Sequence, residues 1–206
     1  MRYGINTQTH PRNLWAAMQS SSQQTVIDDV NKWLQRVVIG LNLCPFAAKP
    51  YATGRVHIAL SNSTNDTDLR RDLRDALVQL SDIDSQVRDT TILVVTDHLQ
   101  DFLAFNQFLD VVDDTLADGG WEGVFQVATF HPDYQFAGTT KTDKSNLTNQ
   151  SPYPILHILR EDSVARALAS VDNPQAIPRT NIVTVSRLDD DQIQDLFPYI
   201  GSTPKN

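Results

Sequence analysis

The 206-residue chain has one cysteine and eight glycines, and only two of its 25 acidic side chains are glutamates, Glu122 and Glu161. A single thiol excludes an intrachain disulfide and any zinc site that takes two or more cysteines from one chain. Glycine is too scarce for the usual phosphate cradles. G-x-x-x-x-G-K-S/T and G-x-G-x-x-G are both absent, as is the G-x-S-x-G turn of α/β-hydrolases. No apolar run approaches the roughly 18 residues of a membrane span. The leader through Ser22 contains no apolar run of signal-peptide length either. Basic residues are outnumbered 17 to 25, for a formal charge of −8. That balance disfavours nucleic acid, which needs a basic face. The expectation is a cytoplasmic protein whose partner is a small molecule, not a membrane or a nucleic acid; its oligomeric state is left open.

What is present is a globular composition, 40% hydrophobic and 20% charged, at a length that suits one domain. Residues 1–22 read as a flexible leader, 23–181 as a single α/β domain, and 182–206 as a partly helical tail. From Gln23 to Leu43, Val26, Ile27, Val30, Trp33, Leu34, Val37, Val38 and Leu41 form the stripe of an amphipathic helix, stopped at Pro45. A strand is expected near Arg55 to Leu60, then a helix to about Leu80. Thr91 to Thr96 is apolar at consecutive positions, as in a strand covered on both faces. Asp97 is placed to cap a helix from about His98 to Asp118, ended by Gly119-Gly120. Strands follow at Val124–Phe130 and Ile155–Leu159, and a short helix at about Asp162–Ser170. Strand–helix alternation predicts a small parallel or mixed sheet in two or three layers, its fourth strand antiparallel if anything, since no helix precedes it. Ligands in such sheets bind outside the carboxyl ends of the strands. Those ends hold Ser61, Thr96-Asp97-His98 and Phe130-His131.

Pro132 to Tyr153 has no periodic pattern, and a loop of that length inside a domain tends to be functional or disordered. Aromatics and prolines at its ends suggest that the ends are packed, while the polar middle, Gly138 to Asn149, could act as a substrate-covering lid. Three motifs, Asn42-Leu43-Cys44-Pro45-Phe46, His131-Pro132-Asp133-Tyr134-Gln135-Phe136 and the run Ser151 to Asp162, together resemble an uncharacterised bacterial family, the domain of unknown function numbered 1415. The resemblance covers roughly Gln23 to Asn181. It implies no activity and assigns no residue a role, but it draws attention to Cys44, His131, Tyr134, His157 and Arg160.

Each of these has two readings. Cys44 is inert if it ends the first helix, at the negative pole. It is activated if Pro45 opens a new helix and Cys44 caps it. His131, at a strand end and before the long loop, suits acid–base work or metal ligation, or else caps local carbonyls. His157 shares a strand face with Ile155 and Leu159 and is either a core histidine or a ligand. Arg160 could hold an anion in bidentate fashion or pair with neighbouring acids. Tyr134 is placed to close over a substrate, and Asp97 is either a cap or a binding group. Two functions follow. One is an enzyme acting on a small polar or anionic molecule, with His131 as acid/base, Cys44 as nucleophile, Tyr134 closing over the site, and Arg160, His157 and Asp97 binding substrate. The other is a non-catalytic module that binds a partner, or a divalent metal through Cys44, His131 and His157.

Overall fold

In the computed structural model, which describes residues 11–200, the first helix α1 (Pro11–Trp33) starts well before Gln23, inside the segment read as a leader. It continues into a π-helical turn, Leu34–Ile39, and stops at Gly40. A short helix α2 (Ala48–Ala52) leads into strand β1 (Val56–Ser61). Helix α3 (Asp66–Asp82) is capped by Asn65, whose side chain accepts the Asp68 N–H at 3.0 Å, and it buries Leu69, Leu73, Ala76, Leu77 and Leu80. Strand β2 (Thr90–Val95) is buried at every position, as its unbroken apolar run predicts.

Helix α4 (Phe102–Asp118) is capped by Asp101, which accepts the Ala104 N–H at 2.9 Å. This corrects the assignment of the cap to Asp97. Leu99 takes a left-handed φ of 56°, and the turn it makes delays the helix by one turn. At the far end Gly120 adopts φ 67°, the conformation that lets a chain leave a helix without a Cβ clash. Strands β3 (Phe125–Phe130) and β4 (Ile155–Arg160) follow, then α5 (Glu161–Leu168), α6 (Ile177–Ser186) and α7 (Asp190–Leu196).

The sheet among the described residues has the order β1-β2-β4-β3. β1 and β2 are parallel, whereas β4 is antiparallel to both β2 and β3. The fold is therefore α/β with a mixed sheet. On one face α3 and α4 pack over Leu93, Val95, Phe125, Leu156 and Ile158. On the other, α1 and the π turn cover Ile92, Val94 and Ile155, joined by Leu147, Val185, Leu188 and Phe197. The last three come from the segment expected to be a tail. Residues 177–197 are thus part of the second layer through Val185, Leu188 and Phe197, whereas Ile182 and Val183 stay exposed.

The 132–153 loop is ordered by its own hydrogen bonds. It contains a 3₁₀ turn, Lys144–Thr148, with Asn146 and Leu147 buried. The Asn146 side chain accepts the Phe136 N–H and the Thr139 hydroxyl at 3.0 Å each and donates to the Thr140 carbonyl at 2.8 Å. Lys144 Nζ donates to the Leu188 carbonyl at 2.6 Å, tying the loop to the C-terminal layer. One amide thus supplies the backbone pairing that a structureless loop lacks. Replacing it, Asn146→Ala, is expected to cost about 2–3 kcal/mol of stability. Urea denaturation measures this; a loss below about 0.5 kcal/mol, the surface range, would show that the loop is held by other means.

Candidate functional site: a cavity on the sheet face

A cavity of about 660 Å³ opens on the α1 side of the sheet. Its floor is Val56, Thr90, Ile92, Ala128, His157 and Leu159. These share one face because strand side chains alternate and the register aligns Val56 with Thr90, Thr90 with Leu159, and His157 with both Ile92 and Ala128. Ala128 matters here: its small side chain beside His157 leaves the imidazole uncovered. Leu34, Val38 and Ile39 of the π turn form one wall, the 44–51 segment another, and α5 a third. Single π turns recur at functional sites, since the wider turn breaks the close packing of an α-helix against its neighbour.

The cavity lies where β1 and β2 begin and β4 ends. The rule that places ligands at the carboxyl ends of parallel strands points to the opposite end of this sheet. That end is occupied by the long loop: Val95 N–H bonds to the Pro154 carbonyl and His131 N–H to the Asn149 carbonyl.

Of the residues singled out in the sequence, Cys44, His157 and Arg160 line the cavity; His131, Tyr134 and Asp97 do not. His131 is fully buried. Its Nε2 lies 3.0 Å from the Leu99 carbonyl and its Nδ1 accepts the Asp133 N–H at 3.0 Å. A carbonyl can only accept and an amide N–H can only donate, so the ring is the neutral Nε2–H form with both nitrogens engaged. Phe102 and Phe105 pack against it at 5.4 and 5.1 Å. Tyr134 packs on Phe102 in the same cluster. Asp97 is exposed and accepts the Thr96 hydroxyl.

Arg160 reaches the cavity, but its guanidinium is committed elsewhere. It points to the α3 side, donating to the carbonyls of Leu80 and Ile83 at the helix end and, more weakly, of Arg88, with its charge 5.7 Å over the Phe125 ring. It caps the negative pole of α3. Among the described residues no group of three or more His, Cys, Asp or Glu side chains could hold a metal ion. Cys44, His131 and His157 are thus not assembled into a ligand set.

Cys44 meets neither of its readings: the π turn stops at Gly40, and the next helix is capped by Ala47, with Pro45 only in the turn before it. The Cys44 carbonyl accepts the Ala47 N–H at 3.1 Å in that turn. Burial raises the thiol pKa; hydrogen bonds from the Phe46 and Ala47 amides oppose this but are outweighed. His157 is half-buried, with Nε2 2.7 Å from the Thr90 hydroxyl, and desolvation lowers its pKa to about 4. The charged rim is not visible in the sequence pattern. Lys49, Arg55 and Arg166 line the cavity against one carboxylate, Asp89. Arg166 already pairs with Asp162 at 2.6 Å, and Arg55 lies 4.0 Å from Asp89. The lining is thus positive in a protein of charge −8. Lys49 and Arg55 lie close in sequence, but Arg166 is distant from both, and only the fold brings it to them.

A family model described as "Protein of unknown function (DUF1415)" matches residues 25–195, and the chain belongs to that family. No curated protein and no solved structure matches it.

Two measurements follow. Alkylation of Cys44 by iodoacetamide should rise with a midpoint above the free-thiol value of about 8.5; a lower midpoint would show that the turn amides outweigh burial. Stability should also fall in acid. Burial lowers the pKa values of His57, His131 and His157. The unfolded chain takes up protons on these rings below about pH 6.5, while the folded chain resists until lower pH. Stability is therefore full above pH 6.5 and lost as pH falls towards 4. His157 alone, shifted to about 4, accounts for about 3 kcal/mol of that loss. Urea denaturation at pH 7 and pH 4.5 measures it, and His157→Gln should flatten the dependence.

Proposed function

We propose that this protein takes up a small organic anion with a mainly apolar body in the sheet-face cavity, as a cytoplasmic small-molecule protein. The observation that carries this reading is the cavity itself: its volume falls in the range of metabolite sites, and an apolar floor meets a cationic rim. Lys49 is exposed with no ion pair among the described residues, so its charge is available to a ligand. Lone polar groups in an otherwise apolar pocket fix the orientation of a ligand; Cys44 and His157 are those groups here.

A catalytic version has one specific observation in its favour. A thiol and a neutral imidazole, Cys44 and His157, line the same cavity. His157 then takes the acid–base part expected of His131, which becomes the residue that positions the long loop. Burial of Cys44 leaves it mainly protonated at neutral pH, so the binding of an anion is the better supported activity.

Anilinonaphthalene sulfonate, itself an apolar anion, tests the reading. It should bind the native protein saturably at one site with enhanced fluorescence. Ala167→Trp, which fills the cavity from α5, should weaken binding more than about tenfold, and Lys49→Glu by about three- to tenfold, the scale of one hydrogen bond or ion pair near a surface. Saturable binding that Ala167→Trp leaves unchanged would place the site elsewhere.

A further inference from the structure

The hydrogen bonds beneath His157 fix which of its nitrogens faces the cavity. Thr90 Oγ1 lies 2.6 Å from the Ile158 carbonyl and 2.7 Å from His157 Nε2. A hydroxyl has one hydrogen, and a carbonyl oxygen can only accept, so that hydrogen goes to Ile158. Oγ1 is then left as the acceptor towards the ring, and Nε2 must carry the imidazole N–H. The lone pair is thereby forced onto Nδ1. No side chain or backbone group among the described residues donates to Nδ1, and it is not one of the buried atoms closed off without a partner. Ile92 and Ala128 flank the ring in the sheet, Phe130 lies 6.4 Å away, and none of the three offers a donor there. The site thus presents a fixed acceptor in an apolar floor.

Resting on the reading of the cavity as an anion site, we infer that its ligand also carries an O–H or N–H group, and that His157 Nδ1 accepts a hydrogen bond from it. The ligand class is a hydroxylated or amino-bearing apolar acid, not a plain hydrophobic carboxylate. A ligand that covers Nδ1 without donating to it costs that nitrogen its hydrogen bond to solvent and loses affinity, and one that donates to it keeps the bond. Thr90 is the positioning residue, because its hydroxyl sets the tautomer.

The test compares naphthoate with derivatives that carry one hydroxyl on the ring remote from the carboxylate. On the wild-type protein at pH 7, at least one hydroxylated isomer should bind about tenfold tighter than the parent, the scale of one ordinary hydrogen bond. In His157→Phe the preference for the hydroxylated isomer over the parent should vanish, whatever the change in the parent's own affinity. Equal binding of parent and isomers, or a preference that survives in His157→Phe, overturns this inference alone. Failure of every compound to bind overturns the anion reading, and this inference with it. Long-range ¹H–¹⁵N spectra of the wild type need no variant. They should show Nε2 protonated and Nδ1 bare; a protonated Nδ1 at neutral pH overturns the inference.

Discussion

The placement of β4 between β2 and β3, antiparallel to both, is the constraint on which the rest of the structure depends. A chain that runs β-α-β-α-β would normally leave its ligand site at one end of the sheet. Here the third strand is set one place away and the fourth returns through the gap. To do so the chain must travel back along the sheet's carboxyl end, and that traverse is the 131–154 segment. The segment closes one end of the sheet with an aromatic cluster around His131, and the strand it delivers carries His157 and Arg160 to the other. A single topological choice thus fills the expected site and opens a different one.

Much of the fold is legible in the sequence because it rests on local chemistry. The stripe of α3, the buried run of β2 and the Gly119-Gly120 stop each report a periodicity or a backbone requirement that needs no tertiary information. The long loop defeated this reading because its order comes from polar side chains such as Asn146, Lys144 and Asn149, and polar residues look alike whether they face water or backbone. The packing of the C-terminal helices into the core was missed for a related reason. Val185, Leu188 and Phe197 are too few and too irregularly spaced to form a stripe, yet each is buried. At the site, Cys44 and His157 could be named but not placed, since sequence order does not say which strand stands next to which. The rim of Lys49, Arg55 and Arg166 was invisible for the same reason.

The excess of aspartate over glutamate has a physical counterpart. Asp101, Asp143 and Asp189 cap helices or turns through their side chains, and Asp189 forms a reciprocal capping box with Gln192. Asp72 accepts the hydroxyls of Ser61 and Ser63 at the end of β1. A carboxylate one methylene from the backbone can return to a nearby N–H, which a longer one does less readily. Much of the negative charge is thus local scaffolding, and the cavity stays positive inside an acidic molecule.

The alternation along β4 has a further consequence. Arg160 faces α3 and locks the helix end, while His157 and Leu159 face the cavity, so one short strand serves two layers through residues of opposite parity. Such a strand behaves as a reading frame. Exchanging a side chain changes one layer only, whereas a gain or loss of a single residue between Ile155 and Arg160 would transpose the two sets. The guanidinium would then be turned into the apolar cavity and the imidazole into the α3 core. This segment can therefore drift in side chain but not in length.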